Sequence, residues 1–330
     1  SRGRAGAGGG AAGDARAGGR AGDPDRDGPR RGDARPARRG ADALRHRDPG
    51  AVGAVGGEAG RLDGRRPILN GRIAVLQLPG SNCEPETARA IAAAGGRPAI
   101  VRWNEPAEHL GRFSAYVIPG GFSYQDRIRG GAVAARLPIL ELIGRRATEG
   151  APVLGICNGA QVLVESGLVP GIRPGGLDLA LAPNRMPGRD GYYTRWTLLG
   201  RGPAGDRCLF TRGMGERIVP IPMAHAEGRF ATRDPGVAAR LSEFVALSYR
   251  TPEGAPAAAF PWNPNGSPAA AAGITNAAGN VLALMPHPER ALLAAQVPVA
   301  LRPPGEDPGA GSDEGPGLFL FRALVAAVEA

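Results

Sequence analysis

The chain has 330 residues, of which 53 are Gly and 32 Pro, so roughly a quarter of its positions favour turns over packed elements and one uniform compact fold is excluded. None of the 40 basic residues is Lys, and Ala, Gly, Pro and Arg abound, the imprint of a biased coding composition that makes the net charge of +9 a poor argument for nucleic-acid binding. Three cysteines, Cys83, Cys157 and Cys208, are too few for a disulfide scaffold and fit a reducing, cytoplasmic setting. No run of 18 apolar residues is present to span a membrane, and the N-terminus lacks a signal-peptide core, so a soluble, non-secreted protein is expected.

Residues 1–68 read as a low-complexity, disordered extension. Ser1 to Arg66 holds only Leu44, Val52, Val55 and Leu62 as large aliphatics, too little burial to offset ordering entropy. With 15 Arg against nine acids it carries net +6 and leaves the remainder nearly balanced. An Arg-rich RNA-binding arm is the competing reading, but acids are interspersed with the arginines and no aromatic residue is present to stack bases. The first Met is Met186, so a non-Met start near Leu69 suits the pattern that follows, and the extension reads as upstream sequence translated with the domain.

From Arg72 hydrophobic strands alternate with Ala/Leu-rich helical stretches. Strands are expected at 72–78, 98–102, 115–118 and 152–156, with helices at 84–94, 132–149 and 158–166. Such alternation predicts parallel crossovers and a sheet covered on both faces. After Gly176 shorter strands are expected near 194–199, 216–221, 244–249, 272–275 and 281–285. A Pro/Gly-rich loop at 302–317 then precedes a final amphipathic helix over 318–328.

Gly155-Ile156-Cys157-Asn158-Gly159 lies at a strand-to-helix junction. Small residues two before and two after a nucleophile permit the sharp turn that exposes its side chain above a sheet. At a helix start the unpaired N–H groups and the dipole favour the thiolate. A cysteine nucleophile needs a base and a group to orient that base. Two His-x-Glu arrangements offer both: His225-Ala226-Glu227 and His287-Pro288-Glu289. His287 is favoured, because it follows an apolar strand at the edge where α/β sheets place their sites, and Pro286 and Pro288 stiffen its turn. His225 is left as a structural or subunit-contact residue, and His109 as a solvated one. Pro119-Gly120-Gly121 lets backbone N–H groups approach a ligand and suits an oxyanion hole completed by the amide of Asn158. Cys83 and Cys208 read as structural, and no convincing metal site is evident.

The segments AVLQLPGSNC (74–83), VIPGGFSYQDRIRGGAVAA (117–135), PVLGICNGAQVLVESGLVPG (152–171), MAHAEGRF (223–230) and MPHPERA (285–291) closely resemble the glutaminase-subunit family of phosphoribosylformylglycinamidine synthases, which are class I, triad-type glutamine amidotransferases. The resemblance runs from Arg72 to the C-terminus. It implies one α/β amidotransferase domain over 69–330 with a largely parallel central sheet flanked by helices. Cys157 would then be the nucleophile, His287 the base and Glu289 the orienting acid. Gly121 and Asn158 would form the oxyanion hole, and Gln161 would lie near the bound glutamine. Glutamine hydrolysis would supply ammonia to a large synthetase subunit, often through a small bridging subunit, for purine biosynthesis. ATP and Mg are expected on that synthetase and no cofactor in this chain, which shows no Walker-type loop. A triad glutaminase serving another synthetase, or a non-catalytic binding or chaperone-like relative, are the other readings. Ala160 stands where the family has an aromatic residue, Gln125 where it has Gly, and the 302–317 loop is atypical.

Overall fold

Short, apolar segments followed by turn residues build the sheet from its centre outward. The computed structural model describes residues 71–173, 175–302 and 314–330; the stretch read as an extension and most of the 302–317 loop lie outside the described residues. In chain order the elements are β1 (Ile73–Gln77), α1 (Glu84–Ala93), β2 (Pro98–Arg102), α2 (Ala107–Leu110), β3 (Ala115–Ile118), α3 (Pro138–Thr148), β4 (Val153–Ile156) and α4 (Asn158–Glu165). There follow β5 (Ala180–Pro183), β6 (Tyr193–Arg201), β7 (Val219–His225), β8 (Glu227–Ala231), α5 (Pro235–Arg240), β9 (Val245–Arg250), β10 (Ala271–Thr275), β11 (Val281–Leu284) and α6 (Leu318–Glu329).

Among the described residues nine strands form one sheet in the order β2-β1-β3-β4-β11-β10-β9-β6-β7, and β5 pairs with β8 in a separate ribbon. The run from β2 to β11 is parallel, and each pairing from β11 to β7 is antiparallel. Strands β3, β4 and β11 are buried along their whole length, which explains their uninterrupted hydrophobic text. Helix α4 lies on β3, β4 and β11, and α1 packs on β1 and β2 with α6 beside it. Strand order reverses direction between β1 and β3, so the loops after both strands open a crevice at their carboxyl ends.

Two differences from the sequence expectation have clear causes. The helix expected over 132–149 is broken: Ala134–Arg136 forms one tight turn, Leu137 is extended, and α3 starts at Pro138. A residue before proline is pushed out of the helical region, while proline itself suits a first helical position. The strand expected at 216–221 instead runs from Val219 to His225 through Pro220 and Pro222. Prolines cannot donate to a ladder, but β7 is the last strand of the sheet, where that donor is not required. The shift carries His225 to the end of a strand. The pair β5–β8 and the short helices α2 and α5 were not legible from periodicity.

Candidate active site

The G-x-C-x-G text folds as the turn it suggested. Cys157 follows β4 and caps α4 with φ 51° and ψ −105°, a conformation that L-residues adopt only when surroundings enforce it. The enforcement is steric. A Cβ on Gly159 would stand 1.9 Å from the Ile118 carbonyl oxygen, and one on Gly155 would stand 2.5 Å from the Gly159 oxygen. Cys157 is 7% exposed, and its Sγ lies 3.6 Å from the Ala224 carbonyl oxygen at the end of β7.

His287 and Glu289 follow β11 on a proline-flanked turn, both 2% exposed. The His287 amide donates to the Pro222 carbonyl at 2.7 Å, which ties the turn to β7. Its Nδ1 lies 2.5 Å from Glu289 Oε1, so the carboxylate holds a proton on Nδ1 and leaves Nε2 for Cys157, which lines the same pocket. Burial pulls the imidazole's pKa down. The Glu289 carboxylate and the Cys157 sulfur outweigh burial and raise it.

The oxyanion candidates lie beside this group. Gly121 has φ 143° and faces Ser81 across an isolated antiparallel bridge. The Phe122 amide donates to Gly80 and the Asn82 amide to Gly120, so Gly121 occupies the non-bonded position and its own N–H points away from Ser81. The Asn158 N–H is the first amide of α4 and has no acceptor within the helix. The Asn158 side chain accepts from the Ser123 amide at 3.0 Å and donates to Asp126 Oδ1 at 3.0 Å and Gln161 Oε1 at 2.8 Å. Gln161 Nε2 donates to the Glu227 carbonyl at 2.8 Å. Residues from both sheet halves thus line one pocket of about 280 Å³, among them Cys157, His287, Gly121, Gln161, His225 and Glu227.

The second His-x-Glu does not form a second dyad. His225 Nδ1 lies 3.1 Å from Asn184 Oδ1, while Glu227 Oε2 accepts from the Gly130 amide at 3.2 Å. Burial, then the charge of His287, lowers the His225 pKa to about 3, so this ring is neutral.

Four pocket residues, Cys83, Asp126, Tyr192 and Arg290, escaped the sequence reading. Cys83, read as structural, lines the pocket, and its sulfur comes within 4.8 Å of ligand atoms of His287 and Glu289. Arg290 reaches it at 3.2 Å and pairs with Glu86. Burial first, then a hydrogen bond to Glu86, pushes its pKa up, so the Cys83 thiol stays protonated. The Nδ1–Oε1 hydrogen bond already fills the space between His287 and Glu289, and no metal is assigned there. Asp126 enters the pocket through a left-handed turn in which Tyr124, Gln125 and Asp126 all have positive φ. No glycine marks this turn, so it left no signal; Gln125 itself takes φ 59°, the conformation that glycine adopts without strain. Burial, then the Glu227 charge, raises the Asp126 pKa. Tyr192 also lines the pocket, half-exposed and 6.4 Å from the Phe122 ring. Ala160 is fully buried in α4, away from the lining, while Cys208 is buried in the core.

Fold and site together define a cysteine-dependent amidotransferase domain, and comparison with known proteins gives the family. Residues 70–326 match the family described as the CobB/CobQ-like glutamine amidotransferase domain, and the chain belongs to it. It is 46% identical over 250 residues to phosphoribosylformylglycinamidine synthase subunit PurQ of Methanothrix thermoacetophila, covering 72% of this chain and 94% of that one. The PurQ subunit of Pyrococcus horikoshii is 39% identical over 254 residues, covering 77% and 97%. Among solved structures, that of PurLQS from Thermotoga maritima superposes with a TM-score of 0.57 at 29% identity, covering 79% of this chain and 99% of that one.

Proposed function

We propose that this chain is the glutaminase subunit of a phosphoribosylformylglycinamidine synthase: it hydrolyses glutamine and supplies ammonia to a synthetase subunit in purine biosynthesis. The relatives that the chain covers almost end to end carry that name, and the PurLQS likeness supports assembly with a large synthetase and a small third subunit. ATP is expected on the synthetase. The domain spans 69–330, and the residues before it are dispensable for glutamine hydrolysis. The three cysteines are free, in keeping with a reducing, cytoplasmic setting; among the described residues no helix is long and apolar enough to cross a membrane.

The observation that carries the mechanism is the buried 2.5 Å His287–Glu289 hydrogen bond beside a strained Cys157 at a helix start. With the thiol proton of Cys157 carried on His287 Nε2, the sulfur attacks the side-chain carbonyl carbon of glutamine, and the oxyanion develops towards the N–H groups of Gly121 and Asn158. His287 Nε2 delivers a proton to the nitrogen as the C–N bond breaks, and ammonia leaves. His287 then takes a proton from water, which attacks the thioester; the C–S bond breaks to give glutamate and regenerate Cys157. Gln161, fixed by Asn158 and the Glu227 carbonyl, forms the wall beside the bound glutamine.

The test is Cys157→Ala in the reconstituted complex, assayed for amidation of formylglycinamide ribonucleotide with either nitrogen donor. Glutamine-dependent synthesis is expected to vanish while ammonium-dependent synthesis persists. Glutamine use retained by the variant would overturn the nucleophile assignment. Glutamine hydrolysis by the parent, coupled only to a different synthetase, would overturn the pathway assignment.

A further inference from the structure

His225 lines the pocket and carries one of the seven buried side-chain atoms that have no hydrogen-bond partner among the described residues. Its ring is 3% exposed, and among the described residues Nε2 has no hydrogen-bond partner. A buried acceptor left unmet is costly, so it points to a missing donor. The ring cannot turn to find one. Asn184 Nδ2 donates to the His225 carbonyl at 2.8 Å, which fixes the amide so that its Oδ1 faces Nδ1, and that same oxygen accepts the Gly228 N–H at 3.2 Å. Nδ1 therefore carries the proton and Nε2 the lone pair. Gly228 lies flat against the ring, where a Cβ would fall 2.0 Å from Cε1.

The neighbours of His225 point to the donor. His225 shares the pocket with Cys157 and His287 and follows Ala224, whose carbonyl the Cys157 sulfur touches; two residues further back, Pro222 holds the His287 amide. The end of β7 thus wraps the reacting centre, where the group that brings N–H donors to Cys157 is the carboxamide of glutamine.

We propose that His225 Nε2 accepts an N–H from the glutamine carboxamide and then from the ammonia it becomes. This rests on the glutaminase reading above. The role differs from that of a base: no proton changes hands with His225, and the bond it makes orients the leaving nitrogen so that the proton arriving from His287 meets its lone pair. Because the ring stays neutral, it has no Nε2 proton to give, and the released ammonia remains the uncharged nucleophile that a synthetase needs.

Two variants and two substrates test it, using the full chain. His225→Asn keeps a group facing Asn184 but deletes the Nε2 acceptor, and His225→Gln carries an amide oxygen to the Nε2 position. L-glutamine is compared with the γ-methyl ester of L-glutamate, whose leaving group has no N–H. His225→Asn is expected to lower kcat/KM for glutamine roughly 10- to 100-fold, the range of a lost buried hydrogen bond, and to change ester turnover less than about threefold. His225→Gln should recover part of the glutamine loss at an unchanged ester rate. Equal losses on both substrates in proteins of unaltered melting temperature would overturn the proposal, as would full glutamine activity in His225→Asn. A parent that hydrolyses the ester but not glutamine would instead overturn the glutaminase reading on which it rests.

Discussion

The two His-x-Glu segments share a spacing and a pocket, yet they do different things. At His287 the carboxylate two residues on turns back to the ring and shares its Nδ1 proton; at His225 an asparagine from another segment takes that place and Glu227 turns to the Gly130 amide. The consequence is electrostatic. One ring has a full negative charge behind it and holds its proton tightly, while the other has a neutral amide behind it and, desolvated, stays bare. A His-x-Glu spacing therefore makes a base possible, and the turn that follows decides whether one exists. Pro288 closes a tight turn that returns Glu289 to His287, whereas Glu227 starts strand β8 and is drawn along it.

The largest expected effect divides these two histidines. His287→Ala removes the proton donor and acceptor and should lower glutamine hydrolysis by about 10³–10⁴-fold, while His225→Asn costs no more than about 10²-fold. Equal losses measured by glutamate release in folded proteins would erase the distinction. The carboxylates should differ in the same sense. Glu289→Gln leaves His287 without the charge that raises its pKa and should reduce kcat at least about 10²-fold. Glu227→Gln keeps an acceptor for Gly130 and should leave kcat within about threefold, read from steady-state kinetics.

The outline of this comparison was legible in the text, but its resolution was not. Buried strands β1, β3, β4 and β11 announce themselves as short apolar runs, and the glycines around Cys157 mark a turn that no other residue could make. His287 could be ranked first because an apolar strand and two prolines frame it. Partners brought from afar left no trace: Asn184 behind His225 and Cys83 beside Glu289 are joined to the site only by sheet topology. Asp126 was hidden for a different reason, since its left-handed turn is built from residues that ordinarily avoid that conformation.

A smaller effect sharpens the comparison through the glycine under the ring. Gly228→Ala places a methyl 2.0 Å from His225 Cε1, so the ring must shift, and the variant should reproduce the selective loss of glutamine over the γ-methyl ester. An equal effect on both substrates would show that the ring position is immaterial to the leaving nitrogen.

The two rings should also shape stability against pH with opposite signs. Between pH 6.5 and about 3 the unfolded chain binds a proton at His225 that the folded chain refuses, so stability falls as pH drops, by ~1.4 kcal/mol per unit from this ring. His287 holds its proton in the folded state to about pH 10, so its contribution is complete below pH 6.5 and is lost as pH rises through that window. Denaturant melts across pH 4–9 should show His225→Asn flattening the acid limb and His287→Ala flattening the alkaline one. Unchanged limbs would mean that neither ring is held as described.

Which sulfur attacks is the central claim, and the pocket itself contains the alternative, since Cys83 and Cys157 both line it. A diazoketone analogue of glutamine alkylates a nucleophile that treats it as substrate. Peptide mass mapping of the full chain after such treatment should find one equivalent of label on Cys157, prevented by excess glutamine and strongly slowed in His287→Ala. Label on Cys83, or labelling of Cys157 that glutamine does not prevent, would contradict the account.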